Sequence, residues 1–72
     1  MIVYTKTHCP QCNVVKIRLD NAGVYYETKD LTHEPEMIMV LRDEGATQFP
    51  VVKDGSRYWW GVDEEKLQEL GA

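Results

Sequence analysis

A short strand pattern, a tight turn and a long helix pattern follow one another at the start of the chain. Residues 2–6 are rich in β-branched and aromatic side chains, which favour a strand. Residues 10–22 repeat apolar side chains at spacings of three and four, which indicates a helix, and Gly23 is placed to end it. Residues 24–29 read as a second strand, so we expect a parallel pair joined by a right-handed crossover. The helix residues expected to face the core are Val14, Val15, Leu19 and Ala22.

The second half of the chain predicts two further helices. Met37, Val40 and Leu41 share one face of a helical pattern that Gly45 closes. Asp63 is suited to cap a final helix, because its side chain can accept a hydrogen bond from a free N–H of the first turn. The inward-facing residues expected in that last helix are Leu67 and Leu70.

A hairpin is predicted between these two helices. Asp54-Gly55 separates the apolar residues 51–52 from the aromatic residues 58–60, and this dipeptide is typical of a tight turn between antiparallel strands. The complete order of elements is then β-α-β-α-β-β-α. We expect residues 1–72 to form a single domain.

Composition excludes several classes of function. The chain has 72 residues, a net charge of −4 and a pI near 5.0, which argues against binding to nucleic acid or to an anionic membrane. Its longest apolar run, residues 37–41, is far shorter than the ~18 residues that span a bilayer. Two cysteines are too few for a disulfide-rich secreted scaffold. We therefore expect a cytoplasmic, monomeric protein.

The two cysteines lie three residues apart on the strand-to-helix turn. This spacing places Cys9 at the helix N-cap and Cys12 at position N3, where the pair can form a disulfide. The helix dipole and the nearby Lys6 both favour a thiolate, and cysteines in such motifs have pKa values of ~3.5–7.5. We therefore predict that Cys9 attacks a disulfide and that Cys12 resolves the mixed disulfide.

Metal binding is the alternative interpretation of this motif. A structural zinc site needs four ligands, and only His8 and His33 could join the cysteines. His8 adjoins Cys9, so it would be strained as a ligand to the same ion. Pro10 stiffens the turn that ligands of an iron–sulfur cluster would have to reshape. We predict a redox site with no metal ligands, and a metal or iron–sulfur carrier remains the alternative.

Three segments resemble one protein family, and one of them is the predicted hairpin, in which Asp54-Gly55 is followed by Tyr58-Trp59. The segment YTKTHCPQC, residues 4–12, resembles the active site of glutaredoxins and of the glutaredoxin-like NrdH redoxins, and Gln11 resembles the NrdH form. The segment TQFPVV, residues 47–52, is similar to the family segment in which the proline follows a cis peptide bond and packs against the disulfide. Gln48 again resembles the NrdH side, and Pro50 is the proline concerned.

This resemblance implies both a fold and a function. The fold is an α/β minimal thioredoxin fold, a four-stranded mixed sheet covered by three helices. The function is that of a thiol–disulfide oxidoreductase that donates electrons to a protein disulfide, with ribonucleotide reductase as the partner. Thioredoxin reductase, an NADPH-dependent flavoprotein, would restore the dithiol. No cofactor is bound, since the Cys9–Cys12 disulfide carries the electrons itself.

Residues 60–64 depart from the NrdH pattern and leave the reductant open. NrdH redoxins usually have Ser-Gly-Phe-Arg-Pro here, whereas glutaredoxins have a Gly-Gly-x-Asp-Asp segment whose first acidic residue holds the amino group of glutathione. Asp63 resembles that acidic residue, but Trp60 replaces a glycine. A glutathione-dependent glutaredoxin is therefore the first alternative. Trp59 and Trp60 must point to opposite faces of a strand, and we expect one in the core and one exposed for docking.

The remaining candidates surround the predicted disulfide. Lys6 could hold a thiolate or a substrate carboxylate, or simply be solvated. His8 could tune the thiolate, although its position favours an ordinary surface histidine. Gln48 and Phe49 could present backbone groups to an extended peptide along Pro50, or be ordinary loop residues. The complete set of predicted partner-binding residues is Lys6, His8, Gln11, Gln48, Phe49, Pro50, Trp60 and Asp63.

Overall fold

The computed structural model describes residues 1–72 and contains seven elements in the predicted order. The four strands form one sheet in the order β2-β1-β3-β4, in which β1 is parallel to β2 and antiparallel to β3. No helix has the length and apolar character that crossing a membrane requires. The elements are β1 Ile2–Thr5, α1 Pro10–Asn21, β2 Glu27–Asp30, α2 Pro35–Asp43, β3 Val51–Asp54, β4 Arg57–Trp60 and α3 Glu64–Glu69.

The sheet has an apolar row on each face, because successive residues of a strand point to opposite sides. The row Val3–Val52–Trp59 is buried under α1 and α3. The row Tyr4–Val51–Trp60 lies on the other face, under α2. The residues that complete the first cluster are Val15, Leu19 and Leu67, and those that complete the second are Leu31, Leu41 and Ala46.

Two helix residues predicted to face the core point to solvent instead. Val14 is 43% exposed and Val40 is 49% exposed. In α1 the buried face consists of Cys12, Val15 and Leu19, which are three and four residues apart. Val14 lies beside this face and not on it. In α2 the half-buried Ile38 packs against the second cluster while Val40 does not. An unbroken apolar run fits two neighbouring stripes of a helix, so periodicity alone selects the wrong one here.

The second strand is shorter than predicted and begins later. It covers Glu27–Asp30 rather than residues 24–29. The Val24 N–H donates to the carbonyl of Leu19 (3.0 Å), and Gly23 has φ of +71°, so these two residues end α1. Val24 then packs against the first core cluster, and pairing with β1 begins only after it.

Candidate active site

The two cysteines form a disulfide at the N-terminus of α1, with their Cα atoms 5.3 Å apart. Cys9 is the N-cap, with extended backbone angles of φ −117° and ψ 95°, and Pro10 follows at N1. The Cys12 N–H donates to the Cys9 Sγ at 3.2 Å. The sulfur of Cys9 therefore lies where the free N–H groups of a helix stabilise negative charge. The predicted N-cap and N3 positions of the two cysteines are confirmed.

The two sulfurs differ in access. Cys9 is half-buried, whereas Cys12 belongs to the buried face of α1 and is 2% exposed. A disulfide on another protein can approach the first sulfur without rearrangement but cannot reach the second. The pair thus has an outer sulfur, on Cys9, that a partner can approach, and an inner sulfur, on Cys12, that can bond to the outer one.

A groove of about 510 Å³ runs between the N-terminus of α1 and the loop before β3; we call it the front groove. It brings together most of the residues that the sequence singled out, and no carboxylate lines it. The residues that line it are Lys6, His8, Cys9, Pro10, Gln11, Thr47, Gln48 and Phe49.

The loop that forms the far wall of the front groove has free backbone groups. The Phe49–Pro50 peptide bond is cis, as the resemblance implied, and Pro50 is buried. The N–H and C=O of Phe49 form no hydrogen bond with another backbone group. The Lys6 Nζ lies 5.4 Å from the centre of the Phe49 ring. The groove therefore offers an unpaired backbone edge with a cation beside it.

Two contacts join this loop to the end of β4, and they involve Gln48 and Gly61. The Gly61 N–H donates to the Pro50 carbonyl at 2.9 Å, and Gly61 has φ of +71°. A Cβ at this position would come within 3.0 Å of the Gln48 Cδ, so the glutamine side chain lies across the face of the glycine. The positive φ is the feature that favours glycine here, because the Gln48 amide that a Cβ would meet is the end of a flexible side chain and can shift.

Three predicted site residues, Pro50, Trp60 and Asp63, are not among the residues that line the front groove. Trp60 is half-buried in the row beneath α2, and its Cη2 is 3.4 Å from where a Cβ on Gly45 would lie. The expectation of an exposed tryptophan is therefore wrong, because both sheet faces are covered by helices. Asp63 caps α3, and its Oδ1 accepts the Lys66 N–H at 3.1 Å. This cap is confirmed.

Sequence reasoning missed a hydrogen-bonded cluster that ties the loop before Cys9 to the loop after β2; its residues are Thr7, Asp30 and Thr32, and we call it the threonine clamp. The Asp30 Oδ1 accepts from the N–H (2.8 Å) and the hydroxyl (2.5 Å) of Thr32. The Thr32 Oγ1 in turn accepts the Thr7 N–H at 2.8 Å. These bonds to Thr32 lower the pKa of Asp30. No local sequence signal marks these residues; they meet because Thr5 pairs with Asp30 in parallel strands and both following loops leave the same edge of the sheet.

A second groove, of about 550 Å³, lies on the clamp side of the disulfide. Asp30 and Lys16 line it together with both cysteines. No group of three or more histidine, cysteine, aspartate or glutamate side chains in the structure is arranged to hold a metal ion.

Comparison with known proteins places this geometry in a family context. The glutaredoxin family model matches residues 1–58. The glutaredoxin-like protein NrdH of Escherichia coli K12 is 32% identical over 68 residues, which are 94% of this chain and 84% of that protein. The NrdH-redoxin structure from Escherichia coli has a TM-score of 0.86 at 32% identity, covering 96% of this chain and 91% of that one. The thioredoxin-like protein BC3987 gives 0.79 at 33% identity, covering 96% of each chain. The predicted thioredoxin fold is thereby confirmed.

Proposed function

Because the chain belongs to the glutaredoxin family and is a dithiol–disulfide oxidoreductase of the NrdH type, we propose that it donates electrons to ribonucleotide reductase and is re-reduced by thioredoxin reductase. The observation that carries this proposal is the outer sulfur of Cys9, capped by the Cys12 N–H and facing a groove with a free backbone edge. We also propose that residues 1–72 act as one domain, since both core clusters share the one sheet.

The proposed reaction has two exchange steps. The thiolate of reduced Cys9 attacks one sulfur of the partner disulfide; a mixed disulfide forms, and the other partner sulfur leaves as a thiolate. The Cys12 thiol then loses its proton and attacks the Cys9 Sγ, and the first partner sulfur leaves. Two electrons pass to the partner, which ends as a dithiol, while Cys9 and Cys12 end as the disulfide seen in the structure.

The front groove supplies the binding side of this reaction. An extended partner segment can pair with the free N–H and C=O of Phe49, which is strand addition. Lys6 and His8 line the groove without a carboxylate, in a chain whose net charge is −4, so the partner meets a cationic or neutral wall. Gln11 and Gln48 contribute neutral hydrogen-bonding side chains to that wall. We assign these residues, with Pro50, to partner binding.

Thioredoxin reductase is the proposed reductant, and NADPH is thus used indirectly. The Escherichia coli NrdH-redoxin is described as having a thioredoxin-like activity profile. In this chain Gln48 covers Gly61, and one oxygen of Asp63 is engaged in capping α3. The first feature blocks close approach of a small peptide such as glutathione to the Gly61 backbone, and the second leaves Asp63 with fewer free acceptor positions.

A glutathione-dependent glutaredoxin is the second candidate function. The observation that favours it is the acidic pair Asp63 and Glu64 beside Gly61, which resembles the glutathione-binding segment of glutaredoxins. Asp63 keeps its second carboxylate oxygen free of protein hydrogen bonds, so it could still accept a bond from an amino group.

Alkylation should separate the roles of the two cysteines. In the reduced protein at neutral pH, we expect iodoacetamide to modify Cys9 much faster than Cys12, because the helix N-terminus favours the Cys9 thiolate and Cys12 is 2% exposed. Mass spectrometry of peptides taken at successive times measures both rates. Equal rates, or faster modification of Cys12, would contradict the assignment of Cys9 as nucleophile.

An assay with ribonucleotide reductase tests whether that enzyme is the partner. Reduced redoxin, supplied in known amount to a ribonucleotide reductase without other thiols, should yield about one deoxynucleotide for each dithiol oxidised, because each turnover needs two electrons. Cys9→Ser should yield none. A reductase that turns over with dithiothreitol but not with this protein would refute the partner. Reduction of insulin disulfides in the same preparation would show that the general activity still stands.

A further inference from the structure

The threonine clamp joins two loops that are 25 residues apart in the sequence, and its Thr7 lies two residues before the reactive Cys9. We propose that Thr7, Thr32 and Asp30 are positioning residues, which hold the β1–α1 loop in the one conformation that keeps Cys9 at the N-cap of α1. This inference rests on the proposed role of Cys9 as the nucleophile.

Hydrogen-bonding chemistry fixes the direction of the clamp. An ionised carboxylate only accepts, so the hydroxyl hydrogen of Thr32 is donated to Asp30. A hydroxyl has one hydrogen and two lone pairs; Thr32 must therefore accept both the N–H of Thr7 (2.8 Å) and its hydroxyl (2.7 Å). The series of hydrogen bonds therefore leads from Thr7 through Thr32 to Asp30. It uses the one hydrogen and both lone pairs of the Thr32 hydroxyl. The lowered pKa of Asp30 keeps the final acceptor charged.

The segment that the clamp holds is strained. His8, between Thr7 and Cys9, has φ of +58°, in the left-handed region that residues other than glycine adopt at a cost. Such a conformation persists only where its surroundings determine it. The side chain of His8 is exposed and forms no hydrogen bond, so it does not stabilise the positive φ of its own backbone.

The strained residue is instead held from both sides. Before it, Thr7 is bound to Thr32 by its backbone N–H and by its side chain. After it, Cys9 is held by the bond from the Cys12 N–H. Releasing the first anchor lets His8 relax toward negative φ, which moves the Cys9 sulfur away from the helix N-terminus. The thiolate then loses part of its stabilisation, and the pKa of Cys9 rises.

The test compares three threonine variants of the full chain. Thr32→Val removes the hydroxyl at nearly constant shape, Thr32→Ser restores it, and Thr28→Val makes the same change at an exposed β2 residue outside the clamp. The readout is the pKa of Cys9, taken from the pH dependence of alkylation in the reduced protein. We expect Thr32→Val to raise it by about one pH unit, toward the ~8.5 of a free cysteine. Thr32→Ser and Thr28→Val should keep the wild-type value.

The outcomes separate the clamp from the proposed function. A Thr32→Val protein with a lower melting temperature but an unchanged Cys9 pKa would overturn the proposal, because the clamp would then be only a brace. An equal rise in Thr28→Val would overturn it as well. If Thr32→Val does not fold, Thr7→Val replaces it and should give a smaller rise, since it keeps the backbone bond. Faster alkylation of Cys12 than of Cys9 in the wild type would instead refute the catalytic roles.

Discussion

Replacing Cys12 with serine should convert the protein from a turning-over reductant into a trap for its partner. Cys9 keeps its N-cap position and can still attack, but no second thiol is present to release the mixed disulfide. Well-oriented intramolecular groups reach effective concentrations of ~10⁵ M or more, whereas external thiols are millimolar, so turnover should fall by orders of magnitude. A covalent adduct with ribonucleotide reductase, visible on a non-reducing gel and released by dithiothreitol, is the expected product.

Two further variants make this result interpretable. Cys9→Ser should give neither adduct nor turnover, because the outer sulfur is missing. Cys12 is 2% exposed, so a serine hydroxyl there leaves a buried polar group; Cys12→Ala keeps the site apolar and should trap the same adduct. Turnover of protein disulfides by Cys12→Ser at the wild-type rate would point to a mechanism that needs one thiol only, and would refute the two-step exchange.

The site of the chemistry could be predicted because its signals are local. Pro10 at N1 follows the preference of proline for the first helical position, and the three-residue spacing then places Cys9 at the N-cap and Cys12 at N3, within one helical turn. The cis bond before Pro50 came from the resemblance and not from any local rule, since most X-Pro bonds are trans.

The predictions that proved wrong concern residues whose local sequence is compatible with two different structures. Val24 has a β-branched side chain, but its N–H closes α1 and the strand begins three residues later. Val40 lies in a run of five apolar residues, where either of two helical faces could be buried. Trp60 was predicted to bind a partner because the sequence did not show that α2 would cover its face of the sheet.

The threonine clamp was beyond local reasoning altogether. Thr7 and Thr32 meet only because β1 and β2 run parallel and end at the same edge. Their hydroxyls have no periodicity, charge or motif that would mark them. Exposed threonines in loops are common, so only the folded structure shows that the Thr7 hydroxyl bonds to Thr32 and that Thr32 in turn donates to Asp30.

Thioredoxin reductase should reduce the Cys9–Cys12 disulfide much faster than glutathione does. A glutathione site must hold charged groups at fixed points, and losing one charged hydrogen bond costs ~1.5–3 kcal/mol, about one to two decades in affinity. Here Gln48 covers Gly61, and Asp63 has one oxygen committed to the α3 cap. The measurement is NADPH oxidation with the oxidised protein, coupled either to thioredoxin reductase or to glutathione with glutathione reductase. We expect the first rate to exceed the second by at least tenfold.

Variants at two positions show which feature sets this preference. Gln48→Ala uncovers Gly61 and should raise the glutathione rate, whereas Trp60→Gly would also remove a half-buried side chain that packs against the second core cluster and is the poorer test. Asp63→Asn keeps the helix cap and removes the charge; Asp63→Ala removes both. Fast wild-type turnover with glutathione, lost in both Asp63 variants, would establish the glutaredoxin alternative. Loss in Asp63→Ala alone would indicate that the cap matters and the charge does not, because asparagine preserves the bond to the Lys66 N–H.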